Sequence, residues 1–160
     1  MKKELIKLKM ASLQAKHPNM HPDCIPRPVY SDKTANGLTK MVIDWITLNG
    51  GQAERISNMG RYIDSSKVVT NVLGQRMKIG SGKFIPGAGT NGTADVSSTI
   101  RMNINGRIIG VSVKWEVKIG KDRMSDAQKK YQLEIEGADG YYFVVKSFDD
   151  FMEKYLELIK

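Results

Sequence analysis

Cysteine and histidine are nearly absent from this chain: 160 residues hold one Cys and two His. Cys24 alone cannot form an intrachain disulfide, which agrees with a reducing compartment and a cytoplasmic protein. His17, His21, Asp23 and Cys24 form the one grouping with zinc-ligand chemistry. Closed zinc sites need four ligands, normally richer in Cys and His, so a proline-rich arm is the better reading of this stretch. Cys24 also lacks an evident His partner for nucleophilic catalysis. No apolar run approaches the length of a membrane span. Residues 1–10 mix lysines with Glu4 and lack a continuous apolar stretch, so no secretory signal is expected.

What is present is an ordinary globular balance, 41% hydrophobic and 26% charged, in a length suited to one domain with a sizeable core. Basic residues dominate, with a net charge of +8, and they are unevenly spread. Residues 1–124 hold 20 of the 25 Lys and Arg against 9 of the 17 acids, whereas residues 125–160 hold 5 against 8. A basic bulk with an acidic end suggests a face for a polyanion, although a generic basic surface would look the same.

Residues 1–33 read as a basic, proline-rich N-terminal arm, and residues 34–160 as the main domain. Residues 1–16 look helical, with Leu5, Ile6, Leu8 and Leu13 only loosely periodic, and residues 17–33 contain four of the five prolines. The arm could cover its own domain or a partner chain. A helix is expected over 34–49, because Leu38, Met41, Val42 and Trp45 share one face. Thr34 or Asn36 can cap it, and Gly50-Gly51 end it. Residues 52–64 should form a short strand and a turn. Residues 65–94, with six glycines, read as mostly loop. Ser125 should start a helix running to about Glu136, followed by a strand over 141–146. Ser147 should cap a last helix whose apolar residues are Phe148, Phe151, Tyr155, Leu156 and Ile159.

The clearest local signal is a hairpin. Asn105-Gly106 is the preferred pair for a two-residue type I′ turn, and it sits between two alternating runs. Ile104 then pairs with Arg107, and the same register sets Asp95 opposite Glu116, with Cβ atoms roughly 5 Å apart on one face. Opposed carboxylates repel, and a hard divalent cation is their natural compensation. Lys118 points to the same face, where it could orient or deprotonate a water or stabilise charge on a phosphate. The other face carries Val96, Ile100, Met102 and Ile104 against Ile109, Val111, Val113, Trp115 and Val117, and should be core. A surface hairpin with a solvated polar face would show the same alternation.

These residues resemble a known family. Gly92-Thr93-Ala94-Asp95, then Trp115-Glu116-Val117-Lys118, looks like the acid-then-ExK signature of the PD-(D/E)xK nuclease superfamily. The run from Asp122 to Gln128 and the closing stretch from Gly140 to Phe151 narrow the resemblance to the VRR-NUC branch, including small stand-alone phage members. The resemblance covers roughly residues 34–152. It implies an α/β, restriction-endonuclease-like mixed sheet with flanking helices, a Mg²⁺ or Mn²⁺ site and phosphodiester hydrolysis. Asp95 and Glu116 would be metal ligands, with the Val117 carbonyl completing the site. Lys118 would position the water, and Gln128 would lie near it. Two departures stand out: Ala94 replaces a proline, and residues 34–43 lack the acid that many relatives carry on the first helix. Asp44 comes late in that helix, so either Asn36 substitutes or the site has fewer ligands.

Gln128 also completes a capping box with Ser125, which accounts for it without catalysis. The glycines of Gly87-Ala88-Gly89-Thr90-Asn91-Gly92 match a dinucleotide-binding pattern, but a strand rather than a helix should follow them, so a loop over DNA fits better. Arg55, Arg61, Arg76, Lys78 and Lys83 are candidate phosphate contacts or ordinary surface charge. The expectation is a metal-dependent DNA endonuclease of the Holliday-junction resolvase type, phage-borne in a bacterial host, acting as a homodimer on branched DNA. A non-catalytic DNA-binding protein of the same fold and a general nicking or flap nuclease are the alternatives.

Overall fold

The computed structural model describes residues 1–57, 60–87 and 89–160. Asn58, Met59 and Ala88, which belong to the expected 52–64 strand-and-turn and to the 87–92 glycine run, lie outside the described residues. The chain divides into two units, Met1–Ile56 with Gly92–Lys160, and Ser57–Asn91.

The hairpin organises the larger unit. Strand β6 (Val96–Ile104) pairs antiparallel with β7 (Arg107–Val117), from Ile104 opposite Arg107 to Val96 opposite Trp115. Asn105 and Gly106 turn the chain with φ of 52° and 83°, the two positive values that a type I′ turn needs. Strand β1 (Gln52–Arg55) adds antiparallel to β6, and β8 (Tyr141–Val145) adds parallel to β7, giving a four-stranded mixed sheet in the order β1-β6-β7-β8. A parallel neighbour requires a crossover, and helix α3 (Asp126–Gly137) provides it. The chain is thus a mixed α/β protein whose sheet is flanked by helices.

Helices α1 (Lys2–Lys16), α2 (Ala35–Leu48) and α4 (Phe148–Leu158) contribute to one core with the sheet. Thr34 caps α2 by accepting from the Gly37 N–H, and Leu38, Met41, Val42 and Trp45 are all buried, as their spacing requires. Each such side chain contributes about 1.5–3 kcal/mol on burial. They meet Val96, Ile100, Val113, Trp115 and Val117 from the sheet. In α4, Ser147 accepts from the Asp150 N–H, and Phe148, Phe151, Met152, Tyr155 and Leu158 face the core, whereas Leu156 and Ile159 are exposed. The hairpin runs past this core: Ile104 is exposed and Ile109 only half-buried, contrary to the expectation that its whole apolar face is covered.

Residues 1–33 contribute to the same core. Leu5 is fully buried and Ile25 nearly so, and Lys9 and Tyr30 both bond to Asp44 of α2 at 2.7 Å.

The smaller unit departs most from expectation. Residues 65–94 are mostly irregular, as expected, but contain three short strands that the expectation lacked. Strand β2 (Arg61–Asp64) pairs antiparallel with β5 (Gly82–Ile85), and between them β3 (Lys67–Thr70) pairs with β4 (Arg76–Ile79). Gly74, Gly80 and Gly82 interrupt a run that satisfies its backbone polar groups by self-pairing.

Candidate active site

Asp95 immediately precedes β6. Its carbonyl accepts from the Ile56 N–H at 2.9 Å, and its carboxylate Oδ2 accepts from the Val117 N–H at 2.9 Å. The second bond ties Asp95 to the Glu116-Val117-Lys118 segment across the hairpin. Gly92, with φ of 83°, sets the approach: a Cβ there would lie 2.4 Å from the Ala127 carbonyl group. Only glycine lets the chain leading into Asp95 pass this close to the start of α3.

Glu116 is 2% exposed and Lys118 7%, so the acid face is not the solvated surface that the alternating pattern also allowed. Gln128 of helix α3 and Tyr142 of the neighbouring strand β8 reach Glu116. Lys118 Nζ is 2.9 Å from Glu116 Oε1 and 3.4 Å from Asp122 Oδ2. Gln128 Nε2 donates to Glu116 Oε1 at 2.5 Å, and Gln128 Oε1 accepts from Lys118 Nζ at 3.0 Å. The same Oε1 accepts from the Ser125 N–H at 2.9 Å, and Ser125 Oγ accepts in turn from the Gln128 N–H. Gln128 is therefore both the capping-box residue and the clamp on the Glu116–Lys118 pair. The two readings of it are one arrangement.

Tyr142 was not legible in the sequence. Its hydroxyl lies 3.4 Å from Glu116 Oε2, a contact at the long end, and Tyr131 of α3 meets its ring edge-on. Placing β8 parallel beside β7 would have found it, because Tyr142 pairs with Lys114, two residues before Glu116. Asp122 likewise acquires its place only in the folded chain, where its carboxylate meets Lys118 from the turn after β7.

Burial pushes the Glu116 carboxyl above its ordinary range, and the nearby Asp95 charge adds to this against the opposing pull of Lys118. Burial alone would lower the Lys118 ammonium, but the contacts with Glu116 and Asp122 outweigh it and hold its pKa above the usual lysine value. Burial first, then Glu116, pushes the Tyr142 phenol well up, so it stays a hydrogen-bond donor.

The donor set fits a hard cation. Asp95, Glu116 and the Val117 carbonyl offer only oxygen, and the mutual repulsion of the two carboxylates is what a divalent ion relieves. The acid of α2, Asp44, does not join them. Asp44 is held by Lys9 and Tyr30, and Asn36 is exposed in the first turn of α2.

Of the expected phosphate contacts, Arg55 is exposed on β1 opposite Val96, one position from Asp95. Arg61, Arg76, Lys78 and Lys83 lie on the strands of the smaller unit, and Lys78 is paired with Asp64 at 2.7 Å. Among the described residues no helix is long and apolar enough to cross a membrane. Compared with family models, curated proteins and solved structures, the chain matches none.

Proposed function

We propose that this protein is a Mg²⁺- or Mn²⁺-dependent endonuclease that hydrolyses phosphodiester bonds in DNA. The observation that carries the reading is the convergence of Asp95, Glu116, Lys118 and Gln128 at one end of β6 and β7, joined by bonds of 2.5–3.0 Å around Glu116 and Lys118. The mixed sheet with its parallel crossover is what the nuclease resemblance implies, and the acid-then-ExK residues fall within it.

Asp95, Glu116 and the Val117 carbonyl would hold the ion, which would neutralise phosphate charge and make a bound water more acidic. Glu116 is oriented for this by Gln128 and Tyr142, and Asp95 by the Val117 N–H. Lys118, with its pKa raised, carries its proton at neutral pH. It therefore serves as a cation and donor toward the phosphate or water rather than as the base. Arg55 pairs with Val96, whose side chain faces the core, so it leaves the sheet on the face opposite Asp95 and is no contact of this site.

A cleavage panel tests this. Duplex, flap and four-way DNA are incubated with Mg²⁺, Mn²⁺, Ca²⁺ or EDTA, using wild type, Asp95→Asn and Glu116→Gln. Cutting that requires Mg²⁺ or Mn²⁺ and disappears in both variants is expected. Undiminished cutting in excess EDTA, or by Glu116→Gln, would refute it. Preference for the four-way junction, with a dimer by light scattering, would place the enzyme among resolvases, since two matched nicks need two sites. One observation favours a non-catalytic DNA-binding role: the Glu116 carboxylate is already buried and engaged by Lys118 and Gln128. DNA binding without cutting under every metal would establish that reading.

A further inference from the structure

The Ser57–Asn91 unit carries four strands in two ladders, and the ladders share one register. Arg61 faces Ile85 and Asp64 faces Gly82, and then Lys67 faces Ile79 and Thr70 faces Arg76. Residues 61–85 are thus a single two-stranded ribbon, interrupted only at Ser65-Ser66 and Gly80-Ser81. Lys78 bridges the interruption to Asp64 at 2.7 Å, so the two ladders keep a common face. At roughly 3.3 Å per residue the strands extend about 30 Å, close to one turn of duplex DNA.

Isolated two-stranded ribbons are marginal in water, and this one covers no core of its own. Apart from half-buried Gly82, every residue of its four strands is exposed. Its side chains are of two kinds. Arg61, Lys67, Arg76 and Lys83 have no acidic partner among the described residues, while Asp64, the unit's one acid, is taken up by Lys78. At the far end Val72 is 103% exposed and Leu73 78%. That tip is ordered. The Asn71 carboxamide oxygen accepts from the Leu73 and Gln75 N–H groups at 3.0 and 2.9 Å, the Asn71 and Gln75 backbones bond at 2.9 Å, and Gly74 closes the loop with φ of 77°. A tight turn usually presents polar residues. Here Asn71 holds two aliphatic side chains forward into solvent.

We propose that residues 61–85 are a DNA-gripping arm: Arg61, Lys67 and Lys83, on one face of the ribbon, rest on the phosphates of a duplex, and Val72-Leu73 at the tip wedge against a base step. Charge complementarity selects the partner, since three uncompensated cations on one face, Arg61, Lys83 and Lys67, spaced along about 20 Å suit a polymer with one negative charge per roughly 1.7 Å. Apolar wedges at the end of a cationic element are a known way to unstack a step, and junction or flap DNA offers steps that are already weakened. The arm deepens the endonuclease reading by supplying its DNA grip, yet it can be tested without cleavage.

Two variants of the full chain separate the arm's two parts. Arg61→Gln/Lys67→Gln/Lys83→Gln should flatten the dependence of log affinity on log salt by about 2.7 for a plain duplex, at about 0.9 per lost phosphate contact. Val72→Ser/Leu73→Ser should keep the wild-type salt slope but abolish the fluorescence rise of a 2-aminopurine placed at the bound step. Thermal unfolding of both variants should match wild type, because none of these side chains is buried. An unchanged salt slope in the charge variant would overturn the arm. So would a wild-type protein that binds anionic lipid vesicles but not duplex, or a ribbon variant that changes the subunit count and not DNA affinity. If wild type cuts no DNA with any metal while the slope still falls, the nuclease reading fails and the arm stands.

Discussion

Replacing Lys118 with Met tests whether the Glu116–Lys118 pair is the buried centre of this site. The side chains are 2% and 8% exposed and lie 2.9 Å apart. Met retains most of the aliphatic stem, so the change removes charge more than packing. It leaves the Glu116 carboxylate with Gln128 and Tyr142 as donors but no cation in contact. Breaking a buried pair from one side costs about 3–5 kcal/mol, because the remaining charge is uncompensated. Burial already favours the neutral form of Glu116, so protonation limits the loss to the lower end, about 3 kcal/mol. For a domain of this size that corresponds to a fall in Tm of about 6–12 °C. Circular dichroism melting gives the number directly. Glu116→Gln added to Lys118→Met removes the stranded charge and should recover about 2 kcal/mol of the loss, a coupling within the range for residues in contact. A single variant that melts within 2 °C of wild type, or a double variant whose effects simply add, would mean that the pair is solvated and the site open. For the same reason alanine at Glu116 or Lys118 is expected to disturb folding as well as activity, so the conservative variants are the ones that report on cleavage.

Gln128→Ala should lower both cleavage and stability, the latter by about 1–2 kcal/mol, because it removes the clamp on Glu116 and half of the α3 capping box together; full activity at an unchanged Tm would dismiss it. Gly92→Ala should cost more than about 1 kcal/mol in urea unfolding, since its φ is 83° and the added Cβ meets the Ala127 backbone at 2.4 Å; a neutral result would place the segment before Asp95 elsewhere. In the ribbon, the bond from Lys78 holds the Asp64 carboxyl at about 2, with Ser66 adding to the effect. A depressed carboxyl contributes stability that is complete above its unfolded pKa near 4 and is lost as pH falls through the folded value. An NMR titration should find the Asp64 midpoint near 2, and Lys78→Gln should return it toward the ordinary carboxylate range; a wild-type midpoint near 4 would show that the two are unpaired.

Local chemistry was readable from the residues alone. Asn105-Gly106 specifies its turn, the turn specifies the register, and the register sets Asp95 across from the Glu116 segment, since side chains alternate with a period of two. Thr34, Ser125 and Ser147 marked three helix starts, because a hydroxyl that accepts from an N–H three residues on acts within one turn. Three things depended on contacts distant in sequence. Alternation shows which residues share a face but not what covers it, so the burial of Glu116 under α3 and Tyr142 appeared only once the parallel crossover was in place. Asp44 could have been a ligand by sequence, and its partners Lys9 and Tyr30 come from the opening 33 residues, whose loose periodicity did not show where they pack. The ribbon was obscured because its glycines read as loop, while its strands are stabilised by pairing with each other across up to 24 residues of chain, a separation that no local pattern reports.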